Sequence, residues 1–185
     1  MDYRGLTETA KEQGAAQAKI ISAEQITVSS KFREACTANT CGMYGRCWMC
    51  PPDIGEIDML IAELKRYTHA LIYQTVFQLE DSFDVEGMME SAERHCEISR
   101  RVGREILPIF SENSLHLIAG GCRFCKRCAK ADGLPCRFPK EALSSLEAYG
   151  VDVYEISKTA GLNYINGQNT VTFFSMILFS EDEDV

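Results

Sequence analysis

His69-Ala-Leu-Ile-Tyr-Gln-Thr-Val-Phe-Gln-Leu79 is rich in β-branched and aromatic residues and reads as a strand. Downstream, Met88, Ala92, Cys96, Ser99, Gly103, Ile106 and Phe110 fall on one stripe of a helix over residues 87–109, with Arg and Glu on its other faces. A second strand, Leu115 to Ala119, runs straight into Gly120-Gly121-Cys122. Pro139 is a good first position for a helix over KEALSSLEAYG (residues 140–150), with Gly150 as its stop. Thr170 to Phe179 supplies a last strand. Upstream, Ile57, Leu60, Ile61, Leu64 and Tyr67 have the spacing of an amphipathic helix, residues 5–18 favour another, and Ile20 to Val28 holds one or two short strands. This order predicts an α/β fold, with α+β as the alternative. A single domain spanning 1–185 is expected, with a mixed sheet, covering helices and two cysteine-rich metal loops at strand ends.

With 185 residues, 45% hydrophobic and 25% charged, the chain can bury roughly two-thirds of its unfolded surface without staples. Its nine cysteines are therefore free for chemistry. The amino-terminal MDYRGLTETAKEQGAAQAK has no apolar stretch resembling a secretory signal. The longest apolar run, Thr170 to Phe179, is interrupted by Thr172 and Ser175 and is too short to span a bilayer. A cytoplasmic protein is expected, where thiols stay reduced and act as metal ligands or reactive groups. The net charge of −8, with an acidic run at 181–184, argues against nucleic acid or an anionic membrane as partner.

The stronger cysteine signal is Cys122-x2-Cys125-x2-Cys128-x7-Cys136. Three cysteines at this spacing surround one corner of a cubane, and a distal cysteine beside proline closes it, as in bacterial ferredoxin loops. Structural zinc sites use two separated knuckles instead, a geometry that three evenly spaced cysteines serve poorly. The first group is Cys36-x4-Cys41-x5-Cys47-x2-Cys50, followed by Pro51-Pro52, which can wrap one centre and leaves zinc open as the alternative. In two-cluster ferredoxins the cysteine before proline serves the other cluster, so Cys50 and Cys136 could exchange centres. If Cys47 is not a ligand, a three-cysteine cluster is left with an open iron for substrate.

Cys96 sits on the apolar stripe of its helix and reads as a core thiol. His69, His95 and His116 lack metal-binding spacing and read as core or surface residues. Residues 161–167 read as a loop, and no Ser-His-Asp signature is present.

The string Cys41-Gly-Met-Tyr44-Gly45-x2-Trp48-x-Cys50-Pro51-Pro52, with CxxCxxC and PCRFPKEALSSLEAYGVDV at 135–153, resembles the predicted metal-binding proteins of "domain of unknown function 2284". The resemblance covers nearly the whole chain. It implies a cysteine-rich metal protein of anaerobic bacteria and archaea, without a settled reaction. It implies Cys36, Cys41, Cys50, Cys122, Cys125, Cys128 and Cys136 as ligands, with Cys47 at a variable position.

The residues together predict two [4Fe–4S] clusters held by the eight thiols, exchanging electrons with a redox partner protein. The alternatives are an enzyme whose three-cysteine cluster binds a small-molecule substrate, and a zinc-stabilised interaction module. The aliphatic final strand leaves a homodimer open.

Overall fold

The computed structural model describes residues 3–110 and 113–180; the acidic run at 181–184 lies outside them. The chain forms α1 (Arg4–Glu12), β1 (Gln17–Ser22), α2 (Lys31–Thr37), α3 (Ile57–Leu64), β2 (His69–Gln78), α4 (Val85–Ile106), β3 (Ser114–Ile118), β4 (Ser144–Ser145), α5 (Val153–Thr159) and β5 (Thr170–Phe179). The five strands make one mixed sheet in the order β1-β2-β5-β3-β4, antiparallel except for the parallel β3–β4 pair.

The longest pairing joins β2 to β5, with His69 opposite Phe179 and Gln78 opposite Thr170. β2 reads as an almost continuous apolar run because both of its faces are covered. Alternate residues point to opposite sides. Ala70 and Ile72 of β2, with Met176 and Leu178 of β5, pack under α3 and α5 against Leu60, Leu64 and Ile156. Leu71, Tyr73, Ile177 and Phe179 pack on the other side under Leu6 and Ala10 of α1 and Ile98, Val102 and Ile106 of α4. The α4 stripe follows the spacing seen in the sequence, and Asp84 caps its amino end by accepting from the Gly87 amide at 2.8 Å.

A polar seam crosses the α4 side of this core. The Ser99 and Ser175 hydroxyls pair at 2.9 Å, Ser175 reaches His95 Nε2 at 3.0 Å, and Thr75 reaches His95 Nδ1 at 2.8 Å. The Tyr73 hydroxyl pairs with His116 Nε2 at 2.7 Å. Burial lowers the pKa of His95 to about 4 and, first among its causes, that of His116 to about 3.

The α/β expectation with a mixed sheet holds, and local expectations fail in identifiable places. Residues 140–150 are not a helix: they form a turn, the short strand β4 and a 3-10 turn over Glu147–Tyr149. Ser144 donates to the Met49 carbonyl at 3.1 Å, and the Ser145 hydroxyl accepts from the Ala148 amide at 3.0 Å. The local bond at Ser145 competes with helical hydrogen bonding, Ser144 is drawn to a backbone carbonyl distant in sequence, and the pairing with β3 wins. Gly150 does act as a stop, in the left-handed conformation, but for the 3-10 turn. α2 and α5 were not anticipated, and α1 ends before residue 14, since β1 already begins at Gln17. The second cysteine loop leaves a strand end as expected, whereas the first lies between α2 and α3. No helix among the described residues is long and apolar enough to cross a membrane.

Candidate metal centre

The first cysteine loop is anchored at both ends by one side chain. Arg33 of α2 donates to the Gly55 carbonyl at 2.7 Å and to the Ala148 carbonyl at 3.0 Å. Cys36 lies within α2 itself, Cys41 is exposed, and Cys47 and Cys50 are buried. The second loop starts where β3 ends, and Cys122, Cys125, Cys128 and Cys136 are each half-buried along it. All nine cysteines are free thiols.

Several specific contacts clasp the two loops. Trp48 donates its indole N–H to the Leu134 carbonyl at 2.9 Å. Lys130 pairs with Asp53 and places its ammonium 4.1 Å above the Trp48 ring. Gly121 allows the closest approach: a Cβ there would come within 3.3 Å of the Cys50 sulfur. The Asp53–Lys130 pair and the Leu134 carbonyl were not singled out by sequence reasoning, because nothing in their spacing marks contacts between loops 70 to 90 residues apart.

The cysteines are distributed differently from their grouping in the sequence. A narrow pocket of about 20 Å3 between the loops is lined by Cys47 together with Cys122, Cys125, Cys128 and Cys136. Phe124, Phe138 and Trp48 wall it with aromatic surface, the first two rings 4.1 Å apart. Cys36, Cys41 and Cys50 instead face a neighbouring cleft of about 880 Å3, whose wall also includes Cys122 and Cys125. Cys136 thus lies with its own loop, and Cys47 is the first-loop thiol that joins the second group. Cys96, buried against Ile118 and Leu143, also borders the cleft.

Cys47 stands between the two sets, close enough to both Cys50 and Cys128 for their thiols to influence its own ionisation. The neighbouring Cys50 thiol first, and burial second, push the Cys47 pKa strongly upward. Burial is also the leading cause raising the thiol pKa values of Cys36 and Cys122. Among the described residues, no group of three or more His, Cys, Asp or Glu side chains converges tightly enough to grip a single ion as arranged. The donor chemistry nevertheless suits a thiophilic metal: five sulfurs share one aromatic-walled pocket, and a bound cation favours the thiolate form that burial alone opposes.

The cleft carries groups that sequence reasoning did not single out. Glu93, Glu97 and Arg100 reach it from α4, at a spacing that marks a polar stripe beside the apolar one. Glu147 joins them from the 3-10 turn, where burial raises its carboxyl pKa.

This α/β scaffold brings cysteine thiols together from two clasped loops. Over residues 19–179 the sequence matches the family described as predicted metal-binding protein, domain of unknown function 2284, and the chain belongs to that family. No curated protein and no solved structure matches the chain.

Proposed function

We propose that this metal-binding protein holds two [4Fe–4S] clusters and exchanges single electrons with a redox partner protein. The observation that carries this reading is the gathering of Cys47, Cys122, Cys125, Cys128 and Cys136 around one pocket by two distant loops. Three of these sulfurs keep the x2 spacing that suits a cubane. Aromatic surface lies beside the sulfurs, and the second loop brings Arg123, Lys126 and Arg137, whose charge offsets that of bound thiolates. Its Arg127 and Lys130 are paired with Asp132 and Asp53. Iron–sulfur clusters supply one-electron redox chemistry when bound. Cys36, Cys41 and Cys50 are the ligands proposed for the second cluster.

A second reading is favoured by the cleft itself. Three first-loop thiols border a space large enough for a small molecule, so the centre they hold could keep an open iron for substrate. The clasp through Trp48, Lys130 and Asp53 then serves to fix the geometry of one pocket beside the other.

Iron, acid-labile sulfide and zinc are measured on protein purified without oxygen, together with electron paramagnetic resonance of the reduced sample. Two clusters' worth of iron and sulfide are expected. Cys128→Ser and Cys41→Ser should each remove about half of the iron, because Cys128 borders only the narrow pocket and Cys41 only the cleft. Stoichiometric zinc without sulfide would end the iron–sulfur reading.

A further inference from the structure

The cleft beside the first cysteine loop contains an unusual cation. Arg100 sits on α4 with its guanidinium carbon 4.3 Å from the centre of the Phe124 ring, so the ring covers one of its faces. Its Nε is fully buried and has no hydrogen-bond partner. No ion pair engages Arg100 among the described residues, although Glu93 and Glu97 lie on the same helix and border the same cleft. Its neighbour one turn on, Arg104, is by contrast exposed and satisfied by Glu141 at 2.9 Å.

A guanidinium stacked on an aromatic ring keeps its in-plane edge for hydrogen bonding, and that edge matches the two oxygens of a planar anion. Nε is shielded from the cleft by the protein itself, which leaves the two Nη groups as the donors for an anion there. The cleft volume of about 880 Å3 suits a small organic molecule. Its charged wall is balanced: Arg100, Arg123 and Lys126 face Glu93, Glu97 and Glu147. Three carboxyl groups in the wall disfavour a doubly charged phosphate and tolerate a single negative charge. Met43, Met89, Pro51 and Phe124 leave apolar surface for a carbon skeleton.

We propose that the cleft is a binding site for a small organic carboxylate, gripped edge-on by Arg100 beside the thiols of Cys36, Cys41 and Cys50. The site deepens the second reading above, in which a centre held by those thiols meets a substrate. The guanidinium fixes one end of the ligand, and the remainder lies along the apolar wall. Arg100 is a binding residue here and takes no part in electron transfer.

The test is calorimetric titration of the full chain, purified without oxygen, with the monocarboxylates acetate, pyruvate, lactate, butyrate and benzoate, each matched by its primary amide, and with inorganic phosphate. At least one carboxylate should bind while its amide does not. Arg100→Met, which keeps the stem against Phe124, should weaken that binding at least ~10-fold, the loss expected for removing hydrogen bonds to a charged group. Arg100→Lys, lacking the fork, should recover only part of it, and Arg104→Met should bind as the unaltered protein does. Circular dichroism melting checks that each variant is folded. The proposal is overturned if no carboxylate binds, if binding survives in folded Arg100→Met, or if phosphate binds more tightly than every carboxylate. Iron and sulfide are measured on the same sample, so the two ideas fail separately. Carboxylate binding without iron supports the site and sinks the cluster, whereas iron-loaded protein that ignores the whole series does the reverse.

Discussion

The sheet and the cysteine loops of this protein are held together by different physics. β2 and β5 pair along ten residues each and are covered by helices on both faces, so their order is set by many interchangeable apolar contacts. The loops at 38–56 and 119–143 contain little regular structure and depend on a few singular contacts: Arg33 at the base, Trp48 on the Leu134 carbonyl, Lys130 on Asp53. The difference teaches where metal sites are placed. A sheet core that does not pass through the cysteine loops frees those loops from the demands of core packing, and they then need only enough internal contacts to stay close.

The largest effect belongs to the sheet. Phe179 is fully buried at the end of β5, stacked on Phe110 with ring centres 4.2 Å apart and on His69 at 5.6 Å. Phe179→Ala should cost about 3–5 kcal/mol in urea denaturation and lower the stability of the whole protein. A loss below 1 kcal/mol would show that the sheet core is looser than its burial implies, and the contrast with the loops would weaken.

The next effect is a pH dependence confined to the seam between α4 and the sheet. His95 is held neutral by burial, with a folded pKa of about 4 against its ordinary value of 6.5. Between those two values the unfolded chain binds a proton that the folded protein refuses, so stability falls as pH drops through that window. The contribution is fully present above about pH 6.5 and is exhausted below about pH 4. One such group gives a slope of up to ~1.4 kcal/mol per pH unit. His95→Gln, which can still bond Thr75 and Ser175, should show a shallower decline of urea stability between pH 6.5 and 4 than the unaltered protein. Coincident slopes would mean that this histidine titrates normally and that the seam is wetter than it looks.

These contrasts also explain what was legible in the sequence. The strands at 69–79 and 170–179 and the helix of residues 85–106 announce themselves through local pattern, since burial on a sheet or a helix face repeats every two or every 3.6 residues. Residues 140–150 misled because their composition favours a helix, while Ser144 and Ser145 are claimed by β3 and by the first cysteine loop, partners distant in sequence. α5 was missed although Asp152 caps it by accepting from the Glu155 amide at 3.0 Å, because the segment is too short for periodicity to show. The cysteines were visible as two groups of four. Their distribution, five around one pocket with Cys47 crossing over, depends on how the loops dock, and no spacing rule encodes that. Arg100 was visible only as one of many charged residues on α4. Its stacking on Phe124 follows from where the second loop folds back.

The smallest and most local effect tests the clasp. Lys130 and Asp53 are both largely shielded from solvent, and Asp53 Oδ2 already lacks a hydrogen-bond partner. Lys130→Met keeps an unbranched chain at this position but removes the ammonium that lies over Trp48, leaving a carboxylate without its counter-charge. The cost should be about 1–2 kcal/mol, less than for a fully buried pair because water still reaches both groups. It should show as faster amide hydrogen exchange at residues 47–54 and 128–135, with β2 and β5 unchanged. Because the loops are joined by singular contacts, loss of one should open them without loosening the sheet. Equal acceleration in β2 and β5 would show instead that loops and sheet unfold as one cooperative unit, and that the scaffold depends on the clasp as much as the clasp depends on the scaffold.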